Sequence, residues 1–163
     1  MRSPGRFLKV LFTTLAALAF AACGGGGGES PAAASPAGAA SAGGNTVDVT
    51  LQEWAVVPSV ASVPAGDVTF AVTNSGPEDV HEFVVLQTDL DAGALPTDET
   101  GTVTEEGEGM EVVDEIEDIP VGESQDLTMS LAAGHYVLLC NIYSEDEQEA
   151  HYQLGMRTNF TVE

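Results

Sequence analysis

Hydrophobic and polar residues alternate with a period of two along most of the chain after residue 45. The alternation is clearest at 47–51, 68–74, 127–131 and 158–162. This pattern is typical of β-strands that bury one face. Residues that favour turns separate the segments, as in Pro64-Ala65-Gly66-Asp67.

Two segments, 81–86 and 136–140, are apolar at nearly every position, as in strands buried on both faces. No stretch shows a convincing period of 3.6. Seven to eight short strands separated by turns predict an all-β domain, a Greek-key β-sandwich or barrel. A long segment at 88–109 interrupts the pattern, and we expect it to be a loop with one short helix near 89–95.

The N-terminus has the composition of a targeting segment. Arg2, Arg6 and Lys9 precede an apolar run at 10–22, which is too short to span a bilayer as a helix. The run ends in small residues before Cys23, and this order resembles a bacterial lipoprotein signal. We therefore predict a signal peptide at 1–22 and lipidation of Cys23, with plain secretion as the alternative.

The next segment, 23–45, is rich in Gly, Ala, Ser and Pro and shows no periodicity, which predicts a flexible tether. The remaining residues, 46–163, are then one folded domain. We expect the protein to be exported and attached by lipid to the outer face of the cytoplasmic membrane, or else secreted or periplasmic. A monomer is expected.

The chain is strongly acidic. After residue 22, Arg157 is the only Lys or Arg against 26 acidic residues, a formal net charge of −25. Ten of these acids lie between residues 98 and 118. Nucleic acid and anionic lipid are therefore excluded as direct partners. The charge favours a basic protein partner, or serves only for solubility in a salty medium.

If Cys23 is lipidated, Cys140 is the only free thiol of the mature chain, and a bound metal would protect it. His151 and Met156 follow it closely, and His81 begins an apolar segment upstream. Two imidazoles, a thiolate and a weak thioether are the ligands of electron-transfer copper. The alternatives are a buried thiol that binds no metal and a zinc site formed by the same ligands.

These candidate ligands lie within longer motifs, namely Asn74-Ser75-Gly76-Pro77, His81-Glu82-Phe83-Val84-Val85, Gly134-His135-Tyr136 and Cys140-Asn141-Ile142. With these motifs, 46–163 resembles the cupredoxins, the plastocyanin and azurin family, and especially small bacterial blue-copper domains similar to sulfocyanin. The resemblance implies one type 1 copper ion. It implies His81, Cys140 and His151 as equatorial ligands and Met156 as the axial ligand.

Two features depart from the close relatives. Ten residues separate Cys140 from His151, including four acids, and a long loop would make His151 more mobile. Glu82 stands where plastocyanin and azurin have an Asn whose amide supports the sulfur, and an ionised carboxylate cannot donate. We therefore expect Glu82 to lower the reduction potential.

The function predicted from the sequence is the transfer of single electrons between redox proteins outside the cytoplasmic membrane, with a cytochrome-like protein or an oxidase as a candidate partner. The alternatives are a copper storage or delivery module and a metal-free interaction domain. An enzyme is not expected, since no Ser/His/Asp grouping remains once His81 and His151 are assigned to the metal.

Overall fold

The computed structural model describes residues 44–163, which form a β-sandwich. The predicted signal peptide, Cys23 and the tether up to residue 43 lie outside the described residues. The strands are β1 Asn45–Gln52, β2 Ala55–Pro58, β3 Ser62–Val63, β4 Gly66–Asn74, β5 His81–Thr88, β6 Met110–Ile119, β7 Ser124–Leu131, β8 Gly134–Leu139, β9 Tyr143–Ser144, β10 Glu149–Ala150 and β11 Arg157–Val162. One helical turn, α1, spans His151–Leu154.

One sheet has four strands in the order β2-β1-β4-β7, and the other has five in the order β3-β11-β8-β5-β6. Strands β1 and β4 pair in parallel, as do β3 and β11, while the other neighbours are antiparallel. A separate two-stranded hairpin is formed by β9 and β10. Eight strands have four or more residues, in agreement with the predicted seven to eight.

The main core lies between the two sheets. Alternate residues of β1 and β4 point inward, and Phe70 of β4 packs on Phe83 of β5 and Phe160 of β11, at ring-centroid distances of 5.3 and 5.6 Å. Because polar residues occupy the other face of β1 and β4, the alternation in the sequence follows directly from this packing.

A second core covers the outer face of the five-stranded sheet. Val84 and Leu86 of β5 and Val137 and Leu139 of β8 are fully buried there. Residues of the 89–109 loop pack on them, namely Ala92, Leu95 and Val103, together with Tyr152. The two continuous apolar segments of the sequence are therefore strands buried on both faces, as predicted.

The predicted short helix near 89–95 is wrong. The backbone N–H of Ala92 donates to Oδ1 of Asn159 at 2.7 Å, and the N–H of Leu95 donates to the Tyr152 hydroxyl at 3.2 Å. These amides are therefore used by side chains from other segments, and 89–95 contains only turns. Within 44–163, no helix has the length and apolar character needed to cross a membrane.

Candidate metal centre

Three strand ends of the five-stranded sheet meet at one pole of the sandwich. Strand β5 begins with His81, and the antiparallel strand β8 ends one residue before Cys140. Strand β11, antiparallel to β8, begins one residue after Met156. Since antiparallel neighbours start and end at opposite edges, the start of β5, the end of β8 and the start of β11 share one edge. The topology therefore brings the predicted ligands together.

The side chains of His81, Cys140 and His151 form one buried cluster. Their candidate ligand atoms all lie within 4.8 Å of one another. The two Nδ1 atoms are 3.2 Å apart, and Sγ of Cys140 is 3.4 Å from Nδ1 of His151. None of the three residues exposes more than 2% of its surface.

These distances fit a single metal ion. With bond lengths of about 2.0–2.1 Å to nitrogen and about 2.3 Å to sulfur, both measured edges correspond to ligand–metal–ligand angles of roughly 100°. Two imidazoles and one thiolate at such angles leave room for a further weak ligand. The donor set and its spacing therefore suit the trigonal site of electron-transfer copper.

The protonation of the three groups is set mainly by burial. Burial lowers the pKa of His81, and the neighbouring His151 lowers it further. Burial also lowers the pKa of His151. Burial raises the pKa of the Cys140 thiol to about 12, against the opposing effect of the backbone N–H groups of Glu82 and Ile142. Both imidazoles are therefore neutral and able to bind a metal, whereas the thiol needs a cation to replace its proton.

Met156 lies between α1 and β11 and is fully buried. Its carbonyl oxygen accepts the N–H of Cys140 at 3.0 Å, and its own N–H donates to the carbonyl of His151 at 3.1 Å. Its side chain belongs to the main core, as does that of Cys140. The backbone of Met156 is thus bonded directly to two of the three clustered residues, and its role as the fourth ligand stays a prediction.

Comparison with solved structures identifies the fold. The chain is similar to a reduced auracyanin from the photosynthetic bacterium Roseiflexus castenholzii, with 23% identity and a TM-score of 0.51, over 74% of this chain and 99% of that one. The described domain has the cupredoxin fold. No protein-family model and no curated protein matches the chain.

Lower TM-scores relate the chain to two other solved structures. Auracyanin A, a blue copper protein from Chloroflexus aurantiacus, has 19% identity and a TM-score of 0.49, over 74% of this chain and 100% of that one. Rusticyanin from Thiobacillus ferrooxidans has 21% identity and a TM-score of 0.44, over 74% and 79%.

Glu82 makes two contacts next to the cluster, one through its backbone and one through its side chain. The backbone N–H of Glu82 approaches Sγ of Cys140 at 3.4 Å, so the sulfur has a donor whatever the side chain is. The carboxylate instead accepts the N–H of Asn141 at 2.5 Å. Burial, followed by the charges of Glu105, Glu115 and Glu117, raises the pKa of Glu82 to about 7. An effect of Glu82 on the site would therefore come from its charge.

The long connection between Cys140 and His151 is folded into a hairpin. Strands β9 and β10 pair through Ser144 and Glu149 and through Tyr143 and Ala150. The N–H of His151 then donates to the carbonyl of Ile142 at 2.9 Å. Acidic residues at the hairpin tip are exposed. Two paired positions of the hairpin and this return contact therefore position His151, and the mobility of the connection stays a prediction.

Sequence reasoning missed two residues next to the cluster, Glu53 and Trp54. The Trp54 ring lies 5.0 Å from the His151 ring and 6.3 Å from the His81 ring, measured between centroids. Oε1 of Glu53 lies 3.8 Å from Nε2 of His81. Both residues belong to the turn between β1 and β2, which no sequence motif links to the predicted ligands.

His135, the remaining histidine, lies away from the cluster. Its Nδ1 is 2.7 Å from the carbonyl oxygen of Thr88, at the opposite end of β5 from His81.

A surface depression of ≈ 300 Å³ lies on the side of the domain that carries the cluster, and it reaches His151. It is also lined by Asp79, Val80, Asp118, Ile142 and Ser144. This depression brings solvent and acidic groups to one edge of the buried cluster.

Proposed function

We propose that this protein is a type 1 copper protein that carries single electrons, with His81, Cys140 and His151 as equatorial ligands and Met156 as the axial ligand. The observation that carries the proposal is the buried cluster of one thiol and two neutral imidazoles at the pole of a cupredoxin fold. Bound copper would supply the redox chemistry, the exchange of one electron between Cu(I) and Cu(II). We propose a carrier and not an enzyme.

The residues around the cluster would keep the ligands still during electron transfer. His81 and Cys140 lie at strand ends of the same sheet, and His151 and Met156 are tied to Ile142 and Cys140 by backbone hydrogen bonds. A rigid and dry site changes little when the charge of the metal changes. The structural rearrangement that accompanies each electron transfer is then small, which favours fast transfer.

A redox partner with a basic face would dock beside His151. The depression next to His151 has acidic groups from Asp79 and Asp118 and an apolar residue, Val80, that is 43% exposed. The chain after residue 22 carries a net charge of −25. Complementary charge speeds the encounter of two proteins and is screened by salt. Transfer to a cationic partner should therefore slow as ionic strength rises.

We further propose that the protein works outside the cytoplasmic membrane, held there by lipid on Cys23. The support is the order of basic, apolar and small residues before Cys23 in the sequence. Mass spectrometry of the protein from membranes tests this proposal. A mature chain that begins at residue 23 and carries acyl groups is expected, and an unmodified chain with another N-terminus would contradict it.

The test of the copper site is a visible and EPR spectrum of residues 44–163 after addition of one equivalent of Cu(II). We expect an intense blue absorption band and the narrow copper hyperfine splitting of a type 1 site. Cys140→Ser should abolish the blue band, while His135→Ala should leave it unchanged. A colourless wild-type protein with ordinary Cu(II) spectra would overturn the assignment.

A storage or delivery module is the second candidate for the same ligands. The burial of all three clustered residues favours the carrier, because an ion enclosed in this way exchanges slowly. Voltammetry and copper transfer to a chelator separate the two functions. Reversible, fast electron transfer with slow copper loss supports the carrier, and rapid loss to the chelator supports delivery.

A further inference from the structure

Two buried polar atoms face each other beside the cluster. Nε2 of His81 lies 3.8 Å from Oε1 of Glu53, and the two side chains are 0% and 12% exposed. Among residues 44–163, neither Nε2 of His81 nor Oε2 of Glu53 has a hydrogen-bond partner. Buried polar atoms are nearly always satisfied, because an unpaired one costs about 1–3 kcal/mol. An imidazole N–H at Nε2 can donate to the Glu53 carboxylate, which would give the unpaired Nε2 of His81 a partner.

Two backbone N–H groups hold the Glu53 carboxylate in place. Its Oε1 accepts the N–H of Asp79 at 2.9 Å and that of Glu78 at 3.3 Å. Burial alone would raise the pKa of Glu53, but these two N–H groups and its own hold it below the usual value. At Gly76, a Cβ would lie 2.5 and 2.6 Å from the two carboxylate oxygens. A side chain at position 76 would therefore displace the carboxylate.

The carboxylate selects one form of the neutral His81 ring. If Nε2 carried no proton, its lone pair would face a negatively charged oxygen, which is repulsive. If Nε2 carries the proton, it can donate to the carboxylate once the two atoms approach by about 1 Å, to the usual length of an N–H···O bond. The proton on Nε2 leaves Nδ1 as a free lone pair. Nδ1 is the atom that faces His151 in the cluster.

We propose that Glu53 is a positioning residue that fixes His81 as the Nε2–H tautomer, so that its Nδ1 is always ready to bind the metal. This inference rests on the proposed copper site, because it assigns Glu53 a role toward that site. A carboxylate behind a metal-binding histidine orients the ring and increases its basicity. Glu53 lies in the turn that joins β1 and β2 of the four-stranded sheet, so it links that sheet to a predicted ligand at the start of β5.

The geometry also assigns a tautomer to the second histidine. The two Nδ1 atoms are 3.2 Å apart, and two lone pairs at that distance would repel. If Nδ1 of His81 has no proton, Nδ1 of His151 must donate one in the metal-free protein. Metal binding then requires His151, and not His81, to move its proton from Nδ1 to Nε2. The two histidines thus have different roles, one preset by Glu53 and one that changes.

The experiment is a long-range ¹H–¹⁵N NMR spectrum of residues 44–163, which reports the tautomer of each histidine. In the metal-free wild type we expect His81 as Nε2–H and His151 as Nδ1–H. A metal-free His81 that is mainly Nδ1–H overturns the inference without any variant. With Zn(II) or Cu(I) bound, both rings should show Nε2–H, and only the signals of His151 should report a change of tautomer.

Glu53→Gln should increase the Nδ1–H fraction of His81, because the amide can donate to a bare Nε2. Gly76→Ala should act in the same direction by displacing the carboxylate, and Glu78→Gln, at an exposed neighbour, is the matched control. Affinity for Zn(II) should fall about 10–100-fold in Glu53→Gln and stay unchanged in the control. Tautomers and affinity that are unaltered in Glu53→Gln would overturn the inference. Correct tautomers without a blue copper spectrum would instead contradict the proposed function alone.

Discussion

The side-chain amide of Asn74 donates to the carbonyl oxygen of Ile119 at 2.9 Å, and Ile119 is the strand partner of His81. The same amide donates to the carbonyl of Asp79 at 2.8 Å, and Oδ1 of Asn74 accepts the N–H of Gly76 at 2.9 Å. One buried side chain thus satisfies three backbone groups. It fixes the path of the chain from the end of β4 to His81.

Asn74→Ala is expected to destabilise the metal-free domain by about 2–4 kcal/mol, because it leaves buried backbone groups without partners. Urea unfolding measures the loss. Asn45→Ala is the control, since its amide makes a single exposed hydrogen bond to the Pro64 carbonyl and should cost less than about 1 kcal/mol. Equal losses in the two variants would show that Asn74 has no special role at this pole.

Tyr152→Phe should loosen the 89–109 loop without disturbing the sandwich. The Tyr152 hydroxyl donates to the carbonyl of Ala92 at 2.7 Å and accepts the N–H of Leu95, and both contacts are buried. Their loss should cost about 1–3 kcal/mol. Hydrogen exchange should accelerate at Leu95, while Tyr143→Phe in the β9–β10 hairpin should not change it. Unchanged protection at Leu95 would refute this anchoring role.

Alternation and the two apolar runs predicted the strands, while the residue types and the resemblance predicted that His81, Cys140 and His151 lie together, as they do. His81 and Cys140 adjoin strands β5 and β8, which are buried on both faces, so their places follow from the sheet itself. The period of two does not indicate which turn lies next to the cluster at the end of the sandwich. Glu53 and Trp54 contact the histidines through the turn between β1 and β2, and that long-range contact has no local signal.

The two long insertions show the same limit. A short helix was predicted near 89–95, but the Asn159 and Tyr152 side chains take the backbone N–H groups of Ala92 and Leu95. Tertiary contacts that no local pattern indicates impose a turn there. In the connection before His151, the sequence indicated a long acidic loop, and the structure has a hairpin there. Its short hairpin is held by two pairs of residues that have no strong strand pattern.

Glu82→Gln is expected to raise the reduction potential of the copper-loaded protein. Gln keeps an acceptor for the N–H of Asn141 but removes the negative charge that the carboxyl carries when ionised. A nearby charge at an effective dielectric of about 20 contributes roughly 1–2 kcal/mol, which is about 40–90 mV for one electron. Voltammetry measures the shift. Glu111→Gln is the control, because Glu111 is exposed near the start of β6, whereas the end of β6 pairs with His81. It should shift the potential much less. An unchanged or lower potential in Glu82→Gln would contradict the expectation.

Met156→Leu should retain copper and the blue band but raise the potential. A thioether donates weakly to Cu(II), and a hydrocarbon side chain of similar volume does not. Voltammetry and the visible spectrum report the two effects. Met129→Leu, at a half-buried position of β7, is the control and should change neither property. Identical potentials in wild type and Met156→Leu would show that Met156 is not the axial ligand.

Asp98 organises the outer turn of the 89–109 loop through one oxygen. Its Oδ1 accepts the N–H groups of Thr100, Gly101 and Thr102 at 2.8, 3.1 and 3.3 Å, and the Thr100 hydroxyl at 2.6 Å. The hydroxyl and N–H of Thr100 are the main cause of a lowered pKa for this carboxyl. The turn leads to Val103, which is buried in the second core and is bonded to Asn141.

This turn should open in acid. Because the folded pKa of Asp98 is depressed, its stabilising effect is complete above the unfolded pKa of about 3.9 and is lost as the pH falls through the folded value. Amide exchange at Gly101 and Thr102, corrected for intrinsic rates, should therefore accelerate below about pH 4. Asp98→Asn should remove this dependence on pH, while Glu99→Gln, the exposed neighbour, should preserve it. A wild-type turn that is equally protected at low and neutral pH, or an Asp98 carboxyl that titrates as a free aspartate, would contradict the prediction.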